Sequence, residues 1–344
     1  MCNYGRGASV PDEEVLQAVH AQVMAAKATG DDSILVSPSG SMFDLYEVSR
    51  DLRRSILAEA ASSAAGEIIC ETRAETVDLE SVQEFVGLVG PERASLECGL
   101  ESSNPWVLEW SLNKQLDLAR IATAIDTAHQ AGAKIYLNVA LGAPFLGARE
   151  TVEDTLTTIR WAFKYGADAT VIFPLHVREW TVTSWLWRHR YYQPPSLWAL
   201  FETLQQLSAE EAAHTSFSWH RDYHASRDEL ASVMPVLASP TTCPECGSRI
   251  LAILDDLRAG KQALMSQDQI PHCSCRDAWA RAYGEPKADA RRLAAGAYEA
   301  LVTDLLGEEW WHTRHSELLQ GLLRPASPRE EPLSSTIDGS TAGI

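Results

Sequence analysis

The chain has 344 residues, 45% of them hydrophobic and 22% charged, enough for one large domain with an appendage or for two ordinary domains. A formal net charge of −18 argues against a broad phosphate-binding surface, because non-specific nucleic-acid affinity is built from Lys and Arg. No stretch approaches the ~20 consecutive apolar residues of a membrane span, and the opening residues lack the apolar core of a signal peptide, so a cytoplasmic protein with no membrane partner is expected.

In chain order, Pro11 opens a helical stretch to about Thr29, with Asp12, Glu13 and Glu14 in its first turn. Short β-rich runs then alternate with helical patterns. The runs are SILVS (33–37), EIICE (67–71), ASLEC (94–98), KIYLNVAL (134–141) and DATVIF (168–173). Between them lie DLYEVSRDLRRSILAEAASS, LESVQEFVGLV, the stretch from Pro105 to Gly132, and ETVEDTLTTIRWAFKYGA, each read as helical. HQAGAK and KYGADA read as glycine-ended helices leading into the next strand. Five strands joined by helices mean βα units and a parallel sheet. A first visible element that is a helix suggests a missing leading strand, with Cys2 in the loop between that strand and the helix.

The strand ends share one chemistry. SPSGS, CETRAE, ECGLESSN, Asn138 before LGAPFLG, and FPLHVRE put Ser, Glu, Arg, Asn and His on one rim. Parallel βα architectures place their sites at the C-terminal ends of the strands. Glu97, Glu101, Arg73 and Asn138 lie within or beside apolar strands, where a charge is costly unless it is paired or binds something. Arg73 offers a fork for a carboxylate. Ser39, Gly40 and Ser41 offer backbone groups with little obstruction, and Asn138 or Glu101 can hold a ribose hydroxyl. The set suits a small zwitterionic nucleoside. No catalytic residue is assigned: there is no Ser-His-Asp set, P-loop or dinucleotide fingerprint, and His176, a single histidine, reads as structural.

Taken in order, CNYG, SPSGSMFD, CETRAE, ECGLESSN and LNVALGAPFLG resemble the radical S-adenosylmethionine (radical SAM) superfamily, in its Elongator-type branch. YYQPPSLWAL resembles, more narrowly, the radical partner of archaeosine synthase, a tRNA-modifying branch. The resemblance implies a partial (β/α)6 TIM-like barrel lacking its first strand, over residues 1–190. It implies a CxxxCxxC motif binding a 4Fe–4S cluster, with Cys2 as the third ligand and the first two upstream of Met1. It implies S-adenosylmethionine held by Ser39, Gly40, Ser41, Glu71, Arg73, Glu101 and Asn138. An electron from the cluster would split the sulfonium to a 5′-deoxyadenosyl radical. The implied substrate is a nucleoside, a tRNA or a natural product, with tRNA disfavoured by the acidic charge. An electron-donor protein is the implied partner.

Residues 191–324 read as a mainly helical module, and 325–344, rich in Pro, Ser and Thr, as a disordered tail. CPECGSR and HCSCRDAW carry Cys243, Cys246, Cys273 and Cys275, a four-thiolate set. Zinc, an auxiliary iron–sulfur cluster and unmetallated thiols stay open, with His272 a substitute ligand. Cys70 and Cys98 read as small core residues. His220, Asp222 and His224 could hold a metal on one extended face, but a solvated face is expected. Two functions stay open: a radical SAM enzyme, or an inactive barrel remnant with a zinc module serving as a binding or scaffold protein.

Overall fold

The structure is a computed structural model that describes residues 9–38, 40–222, 235–260, 272–286 and 289–324. Its centre is a curled six-stranded parallel sheet, a half-barrel. Five strands follow one another in sequence order: β1 (Ser33–Val36), β2 (Glu67–Thr72), β3 (Ala94–Glu101), β4 (Lys134–Leu141) and β5 (Ala169–Pro174). After the two-residue β6 (Val177–Arg178), β7 (Thr215–Phe217) completes the sheet beside β5, and β8 (Val236–Ala238) pairs antiparallel with β6. The sixth sheet strand, β7, has no counterpart among the five strands read from sequence. Three residues are too few to display a period.

Alternation along the strands separates two faces. Ile68, Cys70, Leu96, Cys98, Leu100, Ile135 and Leu137 point outward into the main core, each 0% exposed. Four helices cover them: α2 (Arg50–Ala61), α3 (Leu79–Val89), α4 (Leu118–Ala131) and α5 (Ala148–Lys164). α1 (Asp12–Thr29) packs outside α2. Glu71, Glu97 and Asn138, at alternate positions, face the concave side. Gly132 ends α4 at φ 86°, a left-handed cap that returns the chain to β4.

Two helices start later than their sequence patterns suggest. α2 begins at Arg50 because the Ser49 hydroxyl accepts from Leu52 N; Asp44–Val48 are turns before it. The stretch from Pro105 divides into a π turn (Val107–Ser111), an open segment, and α4, which is capped by the Asp117 carboxylate. Both caps are short polar side chains that compete with the helix interior for backbone N–H groups.

Beyond the barrel strands come α6 (Val182–Arg188), α7 (Leu197–Gln205), α8 (Ala209–Ala213), α9 (Gly247–Arg258), α10 (Ser274–Gly284), α11 (Ala290–Leu306) and α12 (Glu308–Leu322). α7, α9 and α10 share an apolar cluster with α5. α11 and α12 pack with Trp106, Trp110 and Phe145 from the β3 and β4 ends. The tail 325–344 lies outside the described residues, as do Cys2, Ser39 and His224.

Candidate cofactor site and cysteine centre

The residues singled out at the strand ends form two linked groups. The first lies at the ends of β1 and β2. The Ser41 hydroxyl, fully buried, bonds the Thr72 and Thr76 hydroxyls at 2.7 and 2.6 Å and accepts from Arg73 N at 3.2 Å. The Arg73 fork is already engaged: Nη1 donates to Glu47 at 2.7 Å, and Nη2 donates to Asp44. Glu47 also accepts from Ser41 N, and a side chain on Gly40 would land on its carboxylate. That close approach is why glycine suits position 40.

The second group lies one layer deeper on the concave face. Asn138 Nδ2 donates to Glu97 Oε1 at 2.9 Å, while Asn138 Oδ1 is buried with no hydrogen-bond donor. Glu97 is only 8% exposed. Burial pushes its carboxyl up to about 7; the Asn138 bond pulls downward, and the charges of Glu71 and Glu101 add to the rise. Burial likewise raises Glu71, against the Ser37 hydroxyl, which donates to it, and the Lys114 charge. Glu101 sits at a register shift near the end of β3 with φ 67°. The irregularity turns its carboxylate to Lys114, whose Nζ reaches Glu101 at 2.9 Å and Gly99 O at 2.7 Å. Deeper still, Glu67 accepts from Ser95 at 2.6 Å and from Tyr136.

Lys114, Asp44 and Glu47 escaped the sequence reading. All three sit in stretches read there as helix, where charged residues look like a solvated face. The remaining expectations divide. His176 is 8% exposed and structural, bonded to Ser239 Oγ at 3.1 Å and Trp219 O at 2.6 Å. Cys70 and Cys98 are fully buried on the outward face. His220 corrects the solvated-face expectation: it is 0% exposed, with Nε2 2.8 Å from Asp255. Packing beneath α9 withdraws it from solvent.

The four cysteines converge. Cys243 and Cys246 sit at the start of α9, and Cys273 and Cys275 at the start of α10. Their sulfurs lie 3.6 Å apart for 243–246, 3.4 Å for 243–273, 3.5 Å for 246–275 and 3.5 Å for 273–275. All four lie within 4.8 Å of one another, a set that could hold a metal ion. The Trp198 indole N–H donates to Cys275 Sγ at 3.2 Å. Burial works to raise the Cys275 thiol, but hydrogen bonds from the Cys243 region, Trp198 and the other thiols bring it down to about 7. Burial pushes Cys246 up to about 12. His272 is exposed, near Asp277 at 3.8 Å, and is not part of the set.

The curled parallel sheet with its helix-covered outer face and polar concave face is the partial TIM barrel of the radical SAM type. Its architecture matches Methanocaldococcus infernus Elp3 with an N-terminal deletion at a TM-score of 0.50 and 14% identity, over 70% of this chain and 59% of that one. Within that fold the chain is similar to proteins named archaeosine synthase subunit beta. The Thermococcus kodakarensis protein is 31% identical over 209 residues, 59% of this chain and 64% of that protein. The Methanosarcina acetivorans protein is 26% identical over 301 residues, 84% of this chain and 83% of that one. The chain thus spans just under two thirds of the Thermococcus relative. No protein-family model matches it. No helix among the described residues is long and apolar enough to cross a membrane.

Proposed function

We propose that the chain is one subunit of a radical SAM enzyme that binds S-adenosylmethionine on the concave face and starts radical chemistry on a nucleoside substrate. One observation carries the reading: Asn138 Oδ1 is buried without a donor on a face lined by Glu71 and Glu97. An unpaired buried acceptor is costly, and a ribose offers O–H donors that would complete it. The carboxylates give the face the sign that suits a sulfonium cation. Ser41 and the backbone at Gly40, which the Glu47 carboxylate covers, would meet the amino-acid end of the cofactor once Glu47 turns aside. Arg73 would have to leave Asp44 and Glu47 to reach a ligand carboxylate. Glu101, turned to Lys114, would bound the pocket.

Cys2, the proposed cluster ligand, lies outside the described residues. When bound, a 4Fe–4S cluster supplies the electron that splits the sulfonium, and an electron-donor protein would feed it. The name subunit beta, carried by the relatives, supports a partner subunit. The −18 charge supports a division of labour in which a partner carries the phosphate contacts if the substrate is a tRNA. A reducing cytoplasm would keep the buried Cys70 and Cys98 as thiols and the four clustered cysteines available to a metal.

The four cysteines are read as a structural zinc site. Zn–S bonds of about 2.3 Å in a tetrahedron put sulfurs roughly 3.8 Å apart, close to the 3.4–3.6 Å here. A cubane, with four irons between its ligands, spreads its cysteine sulfurs much more widely.

The test is a titration of S-adenosylmethionine into the chain extended upstream of Met1 to carry the first two cysteines of the CxxxCxxC motif, taken here as wild type and reconstituted anaerobically with iron and sulfide. Wild type should bind it and release 5′-deoxyadenosine on reduction. Asn138→Ala should weaken binding by about tenfold, the loss expected for one hydrogen bond. No binding by wild type would end the cofactor reading and leave the scaffold function standing. Equal binding by Asn138→Ala would remove this residue's role.

A further inference from the structure

We propose that Trp198 is a positioning residue of the cysteine centre, and that through it the bound metal holds the segment that braces the end of β4. The inference rests on the reading of the four cysteines as a one-ion site.

Trp198 stands in the first turn of α7, 3% exposed, and its indole N–H points at Cys275 Sγ from 3.2 Å. Trp carries a single side-chain donor, and here that donor faces sulfur. A thiolate bound to a divalent ion keeps negative charge on sulfur. An N–H aimed at it stabilises that charge and fixes the direction of the lone pair left for the metal. On its other side the Trp198 ring lies under the Arg276 guanidinium, 5.8 Å from the ring centre. The ring is thus held by the residue that follows the ligand it serves.

The backbone around Trp198 is held from the other knuckle. Leu197 N donates to Thr241 O at 3.1 Å, and Ser196 bridges to Thr241, two residues before Cys243. Thr242 in turn bonds Cys246 Sγ at 3.2 Å. One ligand pair therefore grips residues 196–197 through the backbone, and the other grips residue 198 through the indole. Just upstream, Pro195 is pressed on Gly142, where an added Cβ would meet the proline ring at 2.5–2.7 Å. The Tyr192 hydroxyl donates to Gly142 O at 2.8 Å. Gly142 directly follows β4, the strand that carries Asn138. A metal that draws the two knuckles together tightens this segment against the rim of the barrel, and the indole N–H is the contact that ties α10's ligand Cys275 to it.

The experiment uses the full chain loaded with cobalt(II), compared with Trp198→Phe, which keeps a ring and loses the donor. With the donor gone, the sulfur-to-cobalt charge-transfer bands should move to longer wavelength. Metal affinity should fall about tenfold to a hundredfold. The Leu197 amide should exchange with deuterium faster. A spectrum and affinity equal to wild type would overturn the proposal and leave the metal reading intact. A wild-type chain that takes up no cobalt would overturn both. Should Trp198→Phe fail to fold, the wild type loaded with 113Cd decides the matter. A scalar coupling between the metal and an indole proton supports the proposal; its absence from every indole proton of a loaded sample overturns it.

Discussion

Glu71 and Glu97 are register partners across β2 and β3, and both look into the concave face. Directly opposed like charges weaken a sheet, and here both carboxyls are also largely withdrawn from water. The structure keeps the pair by leaving a proton on it: burial raises both groups, Glu97 to about 7. The Lys114 charge pulls Glu71 back down, and Glu97, raised to about 7, is the carboxyl of the pair that changes charge near neutrality.

Glu97→Gln should therefore stabilise the protein at alkaline pH and do little in acid. The ordinary value for this carboxyl is near 4.5, and the folded one is about 7. Below 4.5 the group is protonated in both states. As pH rises from 4.5 to 7, the unfolded chain releases the proton first, so stability falls across that window and then levels off. A full shift of this size is on the order of 3 kcal/mol, and relaxation reduces it to about 1–2 kcal/mol. Gln keeps an oxygen for Asn138 Nδ2. Urea unfolding at pH 4.5 and pH 8 should show the variant's gain only at pH 8; equal gains at both would rule out this origin.

Gly142→Ala should cost about 2–5 kcal/mol. The residue has φ 92°, which a Cβ disfavours by about 1–2 kcal/mol. The added carbon also meets the Pro195 ring, a rigid neighbour, for a further 1–3 kcal/mol. Urea midpoints measure the loss. A variant as stable as wild type would mean that the segment at Pro195 does not brace β4.

Much of the concave face is legible in sequence because a polar residue inside an apolar strand is costly to bury unless it is paired or meets a ligand. Asn138 within KIYLNVAL and Glu97 within ASLEC stand out in this way. Their partners are harder to find. Asp44 and Glu47 look like helix surface until the Ser49 cap shows that the helix starts after them. Lys114 lies in an open segment whose direction depends on the irregular end of β3. The cysteine spacing announces a cluster, but Trp198 lies 77 positions from Cys275, and only the fold joins them. β7 is three residues long and owes its strand to β5 rather than to its own pattern.

Cys246→Ser should lose the metal and loosen the knuckles before the barrel. Cys246 is 6% exposed and lies within the apolar cluster of α7, α9 and α10. Because ligand binding and local folding are coupled, hydrogen exchange should quicken across 243–258 and 273–284 while β2, β3 and β4 stay protected. A strong chelator should reproduce the pattern in wild type. Uniform exchange across both regions would show that the module and the barrel unfold as one unit.

Lys114→Met should destabilise the protein more at pH 8 than at pH 5. The ammonium holds Gly99 O and Glu101 and lowers the Glu71 carboxyl. Without it Glu71 moves further up, so the folded state must either keep a proton against the solvent or carry unbalanced charges on one face. Both penalties grow as pH rises through the range where the unfolded carboxyls ionise. The groups are about one-third exposed, so solvent screening limits the loss to about 1–2 kcal/mol at pH 8. Glu101→Gln in the Lys114→Met background should recover part of it, since it removes one of the charges that raise Glu71 and Glu97. Urea unfolding of the single and double variants at the two pH values tests this; a loss independent of pH, or no recovery in the double variant, would assign Lys114 a packing role instead.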